Sequence, residues 1–163
     1  MAVVIRPMGA GDEQDLVRVS LAADTVFADA GVELPPDDPR PLLAHADRVL
    51  VATESDGRPC GLAATVVVDG HPHLEQIAVD PRHGRRGAGS ALLAAVCAEA
   101  AARGHTRITL TTFRDLPWNG PWYTARGFAP LPRAEWGPEL ARVWESEAGI
   151  RVRPRIVMAR QPG

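Results

Sequence analysis

The stretch Val79-Asp80-Pro81-Arg82-His83-Gly84-Arg85-Arg86-Gly87-Ala88-Gly89-Ser90 sets small residues and three arginines between a strand-like run and a helix-like one. A helix entered through such a loop offers the unpaired N–H groups of its first turn and the positive end of its dipole. Both favour phosphate, and Arg85 and Arg86 add formal charge beside it. The wider charge pattern agrees. All 18 basic side chains of the 163-residue sequence are arginine, and the net charge of -2 divides into -9 over residues 1–81, +6 over 82–133 and +1 over 134–163. A positive field confined to the middle of the chain suits a phosphate-bearing small ligand. A nucleic-acid binder is more often basic overall, so no nucleic-acid partner is expected.

Several chemistries are excluded by residue type. Without lysine there is no Walker A loop, Schiff-base lysine or Ser-x-x-Lys nucleophile. Cys60 and Cys97 have no close cysteine partner in sequence, which argues against a disulfide framework or zinc knuckle. His71 and His73 lack a neighbouring ligand cluster, so no metal is expected. A dinucleotide fold would place a small residue where Leu92 stands and an acid about 20 residues later, and neither is present. At 45% hydrophobic and 23% charged, with no apolar run of membrane-spanning length and no signal-peptide pattern, the chain reads as one domain over 1–163, cytoplasmic, with no membrane partner.

The elements that must position the loop follow from periodicity and turn residues. A short strand over 3–7 precedes a helix opened by the acids after Gly11, and the proline-rich loop 31–41 leads to a brief helix around 42–46. Three antiparallel strands follow, over 48–53, 64–68 and 73–79, joined by turns at Asp56-Gly57-Arg58-Pro59 and Asp69-Gly70-His71-Pro72. After the glycine loop comes a long alanine-rich helix from Ser90, closed at Gly104. The strand over 107–113 should lie parallel to that over 73–79, because a helix crosses between them. A short helix over 121–126 ends at Gly127, Phe128 begins a strand, 137–148 reads as helix and 155–160 as a terminal strand.

Within this order, Gly84-Arg85-Arg86-Gly87-Ala88-Gly89 resembles the phosphate-binding loop of the GNAT superfamily of N-acetyltransferases. It keeps the glycines of the pattern and places Gly84 where the family has Gln or Arg. The segment Trp118-Asn119-Gly120-Pro121-Trp122-Tyr123-Thr124-Ala125-Arg126-Gly127-Phe128 is similar to the family's Asn followed by Tyr-x-x-x-Gly-Phe. The resemblance implies an α/β fold with a GNAT-like mixed central sheet: antiparallel N-terminal strands, then a parallel pair, strands four and five, splayed at the cofactor site and flanked by helices.

It also implies acetyl transfer from acetyl-CoA to a primary amine by direct attack in a ternary complex. The loop residues Arg85, Arg86, Gly87, Ala88, Gly89 and Ser90 would hold the diphosphate. Ile77, Ala78 and Val79 would bond the pantetheine arm, and Asn119 would contact the cofactor while capping its helix. An aliphatic amine, with a pKa of about 10.4, must lose a proton before attack. Glu75 is the expected base because a period of two sets His73, Glu75, Ile77 and Val79 on one strand face, with His73 as competitor. Tyr123, the only tyrosine, falls where the family's general acid stands. Phe27, Asp29 and the loop 31–41 would form the acceptor side. The acceptor is a small-molecule amine or a protein N-terminus, and homodimerisation stays open. The alternative on the same fold is a non-catalytic acyl-CoA-binding sensor or interaction module.

Overall fold

The computed structural model describes residues 3–84 and 87–163. Alternation along β2 (Arg48–Thr53) shows how the sheet is filled on both faces. Val49 and Val51 join one apolar layer, and Leu50 and Ala52 join the other. The first layer is built against α1 (Glu13–Asp29) and α2 (Arg40–His45), where Leu16, Val19 and Leu43 meet Leu62 and Ala64 of β3 (Pro59–Val68). The second is built against α3 (Ala88–Ala102). There Leu92, Leu93 and Val96 pack with Leu110 of β5 (Ile108–Phe113) and Met158 of β7 (Arg155–Arg160). Leu92 and Leu93 are almost wholly buried, each contributing about 1.5–3 kcal/mol of apolar burial. The ion pair of Arg48 with Glu99, at 2.7 Å, ties β2 to α3 from outside the layer.

β1 (Val4–Pro7), β2, β3 and β4 (His71–Val79) form an antiparallel run. β4 then pairs in parallel with β5, and β7 and β6 (Ala129–Pro130) complete the order β1-β2-β3-β4-β5-β7-β6. This is the expected mixed sheet. The crossover from β4 to β5 passes through α3, which is why the pair is parallel. α4 (Gly120–Thr124) and α5 (Pro138–Ser146) follow β5 and β6 in turn.

Three differences from the sequence expectation have local causes. The β3–β4 turn is only Asp69-Gly70, with φ of 51° and 77°. Two consecutive left-handed residues match the twist of a tight hairpin, so β4 starts at His71. The long helix starts at Ala88, because Gly87 already supplies the left-handed entry. The strand after Phe128 is only two residues long and pairs at the sheet edge. No helix among the described residues is long and apolar enough to cross a membrane.

Candidate active site

The parallel β4–β5 pairing is short. Only His73 with Thr109 and Leu74 with Leu110 are in register, and beyond them the two strands part. From Ile77 to Val79, β4 keeps β3 as neighbour on one edge, while its other edge lacks a strand partner among the described residues. A cavity of about 530 Å³ occupies the opening. Its walls are Ile77, Ala78 and Val79 of β4, the turn into α3, the α4 segment around Trp122 and Tyr123, and Ala23, Val26 and Phe27 of α1.

Asp80 braces the turn that leaves β4 at this opening. Its side chain is buried and accepts from the Arg82 backbone N–H at 3.0 Å, Arg82 Nη2 at 3.0 Å and Arg18 Nη1 at 3.1 Å. The Arg82 side-chain bond foremost, then the Arg82 backbone bond and the nearby charge, hold the carboxyl below its ordinary pKa despite burial. Arg18 also reaches the Pro59 carbonyl at 3.3 Å, so the first helix, β3 and the end of β4 are held together. The chain then turns through 81–84 and enters α3 at Gly87, whose φ of 81° is left-handed. Gly89 lies close under Trp122: a Cβ there would stand 3.4 Å from the indole. Because the first intrahelical bond is donated by the Ala91 N–H to Gly87, the N–H groups of Ala88, Gly89 and Ser90 have no acceptor within the helix. The α3 first turn carries no acidic residue. An anion is therefore the natural ligand of this wall.

Tyr123 is 6% exposed and packs edge-on against Trp122 and Phe128, at ring separations of 5.0 and 5.6 Å. Burial raises its pKa well above the ordinary phenol value, so the hydroxyl stays protonated at neutral pH. Asn119 lines the cavity at the start of α4, but its side chain does not cap the helix. Its Nδ2 donates to the Trp118 carbonyl at 3.1 Å. With Pro121 in the first turn, one of the N–H groups that a cap would satisfy does not exist.

Glu75 is placed differently from the expectation. The β3–β4 register passes from Ala64 opposite Gln76 to Thr65 opposite Leu74, so Glu75 is the extra residue of a β-bulge. A bulge breaks the alternation of faces. Ile77 and Val79 consequently join Leu74 on the α3 side, and the Gln76 amide donates to Ser20 of α1 at 2.8 Å. The expected common face of His73, Glu75, Ile77 and Val79 does not exist, and Glu75 is not among the residues lining the cavity. Its carboxylate lies 3.7 Å from Nε2 of His73 and its side chain is 36% exposed. Burial, then the nearby Glu147 carboxylate, raises its pKa, while His45 and Arg155 oppose the rise. His73 is 1% exposed, with Nδ1 2.8 Å from Thr109 Oγ1, and burial depresses its pKa to about 4. It is neutral at pH 7.

Around Glu75 lies a polar cluster that the sequence did not signal. Thr111 donates to Glu147 at 2.8 Å, Arg155 donates to Thr111 at 3.2 Å, and Arg155 stacks on Phe113 at 4.5 Å. Phe27 and Trp118 pack together at 5.6 Å beside Phe113. Arg126 also lines the cavity, a role the spacing of the Trp118–Phe128 motif does not signal. Thus Ile77, Ala78, Val79, Gly87, Ala88, Gly89, Ser90, Asn119 and Tyr123 share one cavity. Arg85 and Arg86 lie outside the described residues.

Residues 20–128 match the acetyltransferase (GNAT) family. The chain belongs to that family. Acetyl-CoA is the co-substrate of these GNAT enzymes. The GNAT chain is 38% identical over 144 residues to a mycothiol acetyltransferase of Clavibacter michiganensis, a match covering 86% of this chain and 45% of that protein. It therefore spans less than half the length of that relative. Among solved structures, a GNAT-family acetyltransferase of Staphylococcus aureus superposes with a TM-score of 0.74 at 15% identity, covering 99% of this chain and all of the other. N-acetylglutamate synthase of Neisseria gonorrhoeae, solved with coenzyme A and N-acetyl-glutamate, gives 0.73 at 20% identity over all of this chain and 36% of that one. These two likenesses establish the GNAT fold.

Proposed function

We propose that the protein is an acetyl-CoA-dependent N-acetyltransferase acting on a primary amine by direct attack in a ternary complex. One observation carries the proposal: the unpaired edge of β4, the free first-turn N–H groups of α3 and Tyr123 all face a single cavity. Acetyl-CoA supplies the activated acetyl group. The backbone of Ile77 and Val79 offers N–H and C=O groups to an extended arm, as an added strand would require. The N–H groups of Ala88, Gly89 and Ser90 hold the diphosphate oxygens, with Arg85 and Arg86 assigned to add charge. Asn119 supports the same ligand from the far wall.

Glu75 takes the proton of the incoming ammonium. Since it stands in the bulge beside the cavity, a water relays that proton to it. The raised pKa improves it as a base, because the carboxylate then binds a proton more readily. As the amine nitrogen bonds to the thioester carbonyl carbon and the C–S bond breaks, Tyr123 donates to the departing sulfur and regains a proton from the one the nitrogen sheds in becoming an amide. Its raised pKa keeps the donor protonated at neutral pH. The polar cluster of Glu147, Thr111 and Arg155, with Phe27 on α1, forms the acceptor side.

The acceptor is a small-molecule amine or a protein N-terminus. The 38% identical relative, named a mycothiol acetyltransferase, favours the small molecule. The test combines calorimetry with CoA and thiol release from acetyl-CoA across a panel of amines. Expected is CoA binding together with amine-dependent thiol release. Tight CoA binding with no release for any amine would transfer the protein to the non-catalytic acyl-CoA-binding class. Absence of CoA binding by folded protein would defeat both.

A further inference from the structure

We propose that Arg126 is a further cofactor-binding residue, a preset guanidinium fork that grips the diphosphate of the thioester carrier from the α4 side of the cavity. The inference rests on the cofactor assignment above and adds a contact the family motif leaves unassigned.

Three observations place it there. Arg126 lines the cavity, and it is the one arginine among the described residues that do so. Its guanidinium stacks on the Trp122 ring at 3.8 Å. Its Nε and Nη2 donate to Ser90 Oγ in the first turn of α3, at 3.1 and 2.9 Å, and Nη1 donates to the Trp122 carbonyl at 3.0 Å. The side chain is thus clamped across the entrance to the helix whose N–H groups await an anion.

Counting donors shows what remains. A guanidinium has five N–H groups, and these bonds occupy three. One N–H on each terminal nitrogen is left, the pair that suits a phosphate in bidentate fashion. Ser90 Oγ accepts twice, so its own hydrogen is free to donate to the same anion. Among the described residues no carboxylate pairs with Arg126, unlike Arg48 or Arg82, whose charges are spent on Glu99 and Asp80. On the loop side, Gly84 lines the cavity without a side chain, so the described cationic reach comes from the opposite wall.

Arg126→Ala tests the assignment through three ligands: CoA, dephospho-CoA and S-acetylpantetheine. The last lacks the diphosphate, and its weak binding is measured by ligand-observed NMR. Expected is a rise in Kd of about 10-fold or more for CoA and dephospho-CoA alike, the size of one lost charge-assisted hydrogen bond. S-acetylpantetheine should be unaffected. A CoA Kd within about twofold of wild type overturns the inference. So does a loss confined to CoA, which would assign Arg126 to the 3′-phosphate. An equal loss for S-acetylpantetheine would reduce Arg126 to a structural role. Should Arg126→Ala fail to fold, Arg126→Lys, which keeps the charge and loses the fork, is read by the same ligand pattern. Wild-type protein that binds none of the three would instead remove the cofactor assignment itself.

Discussion

The two sides of the β4–β5 opening are built in different ways. The wall formed by α3 and α4 presents mostly backbone: free N–H groups, a left-handed glycine and small residues that let Trp122 approach, with the Arg126 guanidinium as its charged side chain. The side around Glu75 works through side-chain charge, with Glu75, Glu147, Arg155 and the neutral His73 gathered from β4, the turn after α5, and β7. A backbone-built wall binds one kind of group and tolerates little variation in chain conformation. A charge-built side is changed by single substitutions without altering the fold. A fold with that division can keep one donor while its acceptor changes.

If the division holds, changing the proposed base should affect turnover and leave cofactor affinity alone. Glu75→Gln keeps the shape of the bulge and removes the proton acceptor. The expected loss in kcat is about 10²–10⁴-fold, with the CoA Kd unchanged. The pH profile gives the sign. The pKa of Glu75 is raised by burial and by Glu147, so the base is lost as pH falls through a value above the ordinary glutamate pKa. The acidic limb of kcat/KM should therefore lie higher than an exposed glutamate would place it, and Glu75→Gln should abolish it. A limb that persists in the variant would take Glu75 out of the mechanism. A weakened CoA Kd would break the division between the two sides.

Sequence made the backbone-built wall legible because its parts are contiguous. Residues 79–90 and 118–128 carry the turn, the helix entry and Tyr123 in two short segments, and the crossover rule fixed the parallel β4–β5 pair. The charged side was not legible, since Glu75, Thr111, Glu147 and Arg155 meet only after the sheet forms. The face of Glu75 is not legible for a related reason. A period of two describes a regular strand, and nothing in Leu74-Glu75-Gln76 announces the extra residue of a bulge. Asn119 has the residue type of a cap, yet the proline two positions on removes a donor it would serve. The Asp69-Gly70 turn was visible as a turn, while its two-residue length depended on both residues adopting positive φ.

A second, smaller effect belongs to the charged side and is read in stability. His73 is almost fully buried and holds a pKa of about 4, against an ordinary value of 6.5. The unfolded chain takes up the proton first on acidification. Stability should thus fall as pH drops from about 6.5 to about 4, by roughly 3 kcal/mol for this group alone. Urea unfolding at pH 7 and pH 4 measures it. His73→Gln retains a hydrogen-bonding partner for Thr109 and should be less sensitive to pH by that amount. Equal slopes in the two proteins would mean that the imidazole becomes charged in the folded state without cost, and that the polar cluster is wetter than its burial indicates.

The smallest effect expected is on the backbone-built wall. Gly87 has φ of 81°, and a Cβ there would meet nothing within 4 Å among the described residues. Any penalty for Gly87→Ala is therefore conformational rather than steric. A left-handed alanine costs about 1–2 kcal/mol, which urea unfolding resolves. Asn tolerates that conformation better, so Gly87→Asn should lose less. Provided the turn keeps its shape, both variants present the same N–H groups of Ala88, Gly89 and Ser90, and CoA affinity should stay close to wild type in each. If instead Gly87→Ala keeps its stability and loses CoA affinity, the chain has relaxed out of the left-handed turn and carried the donors with it. Comparing alanine with asparagine separates the two responses, because asparagine holds the left-handed turn at lower cost.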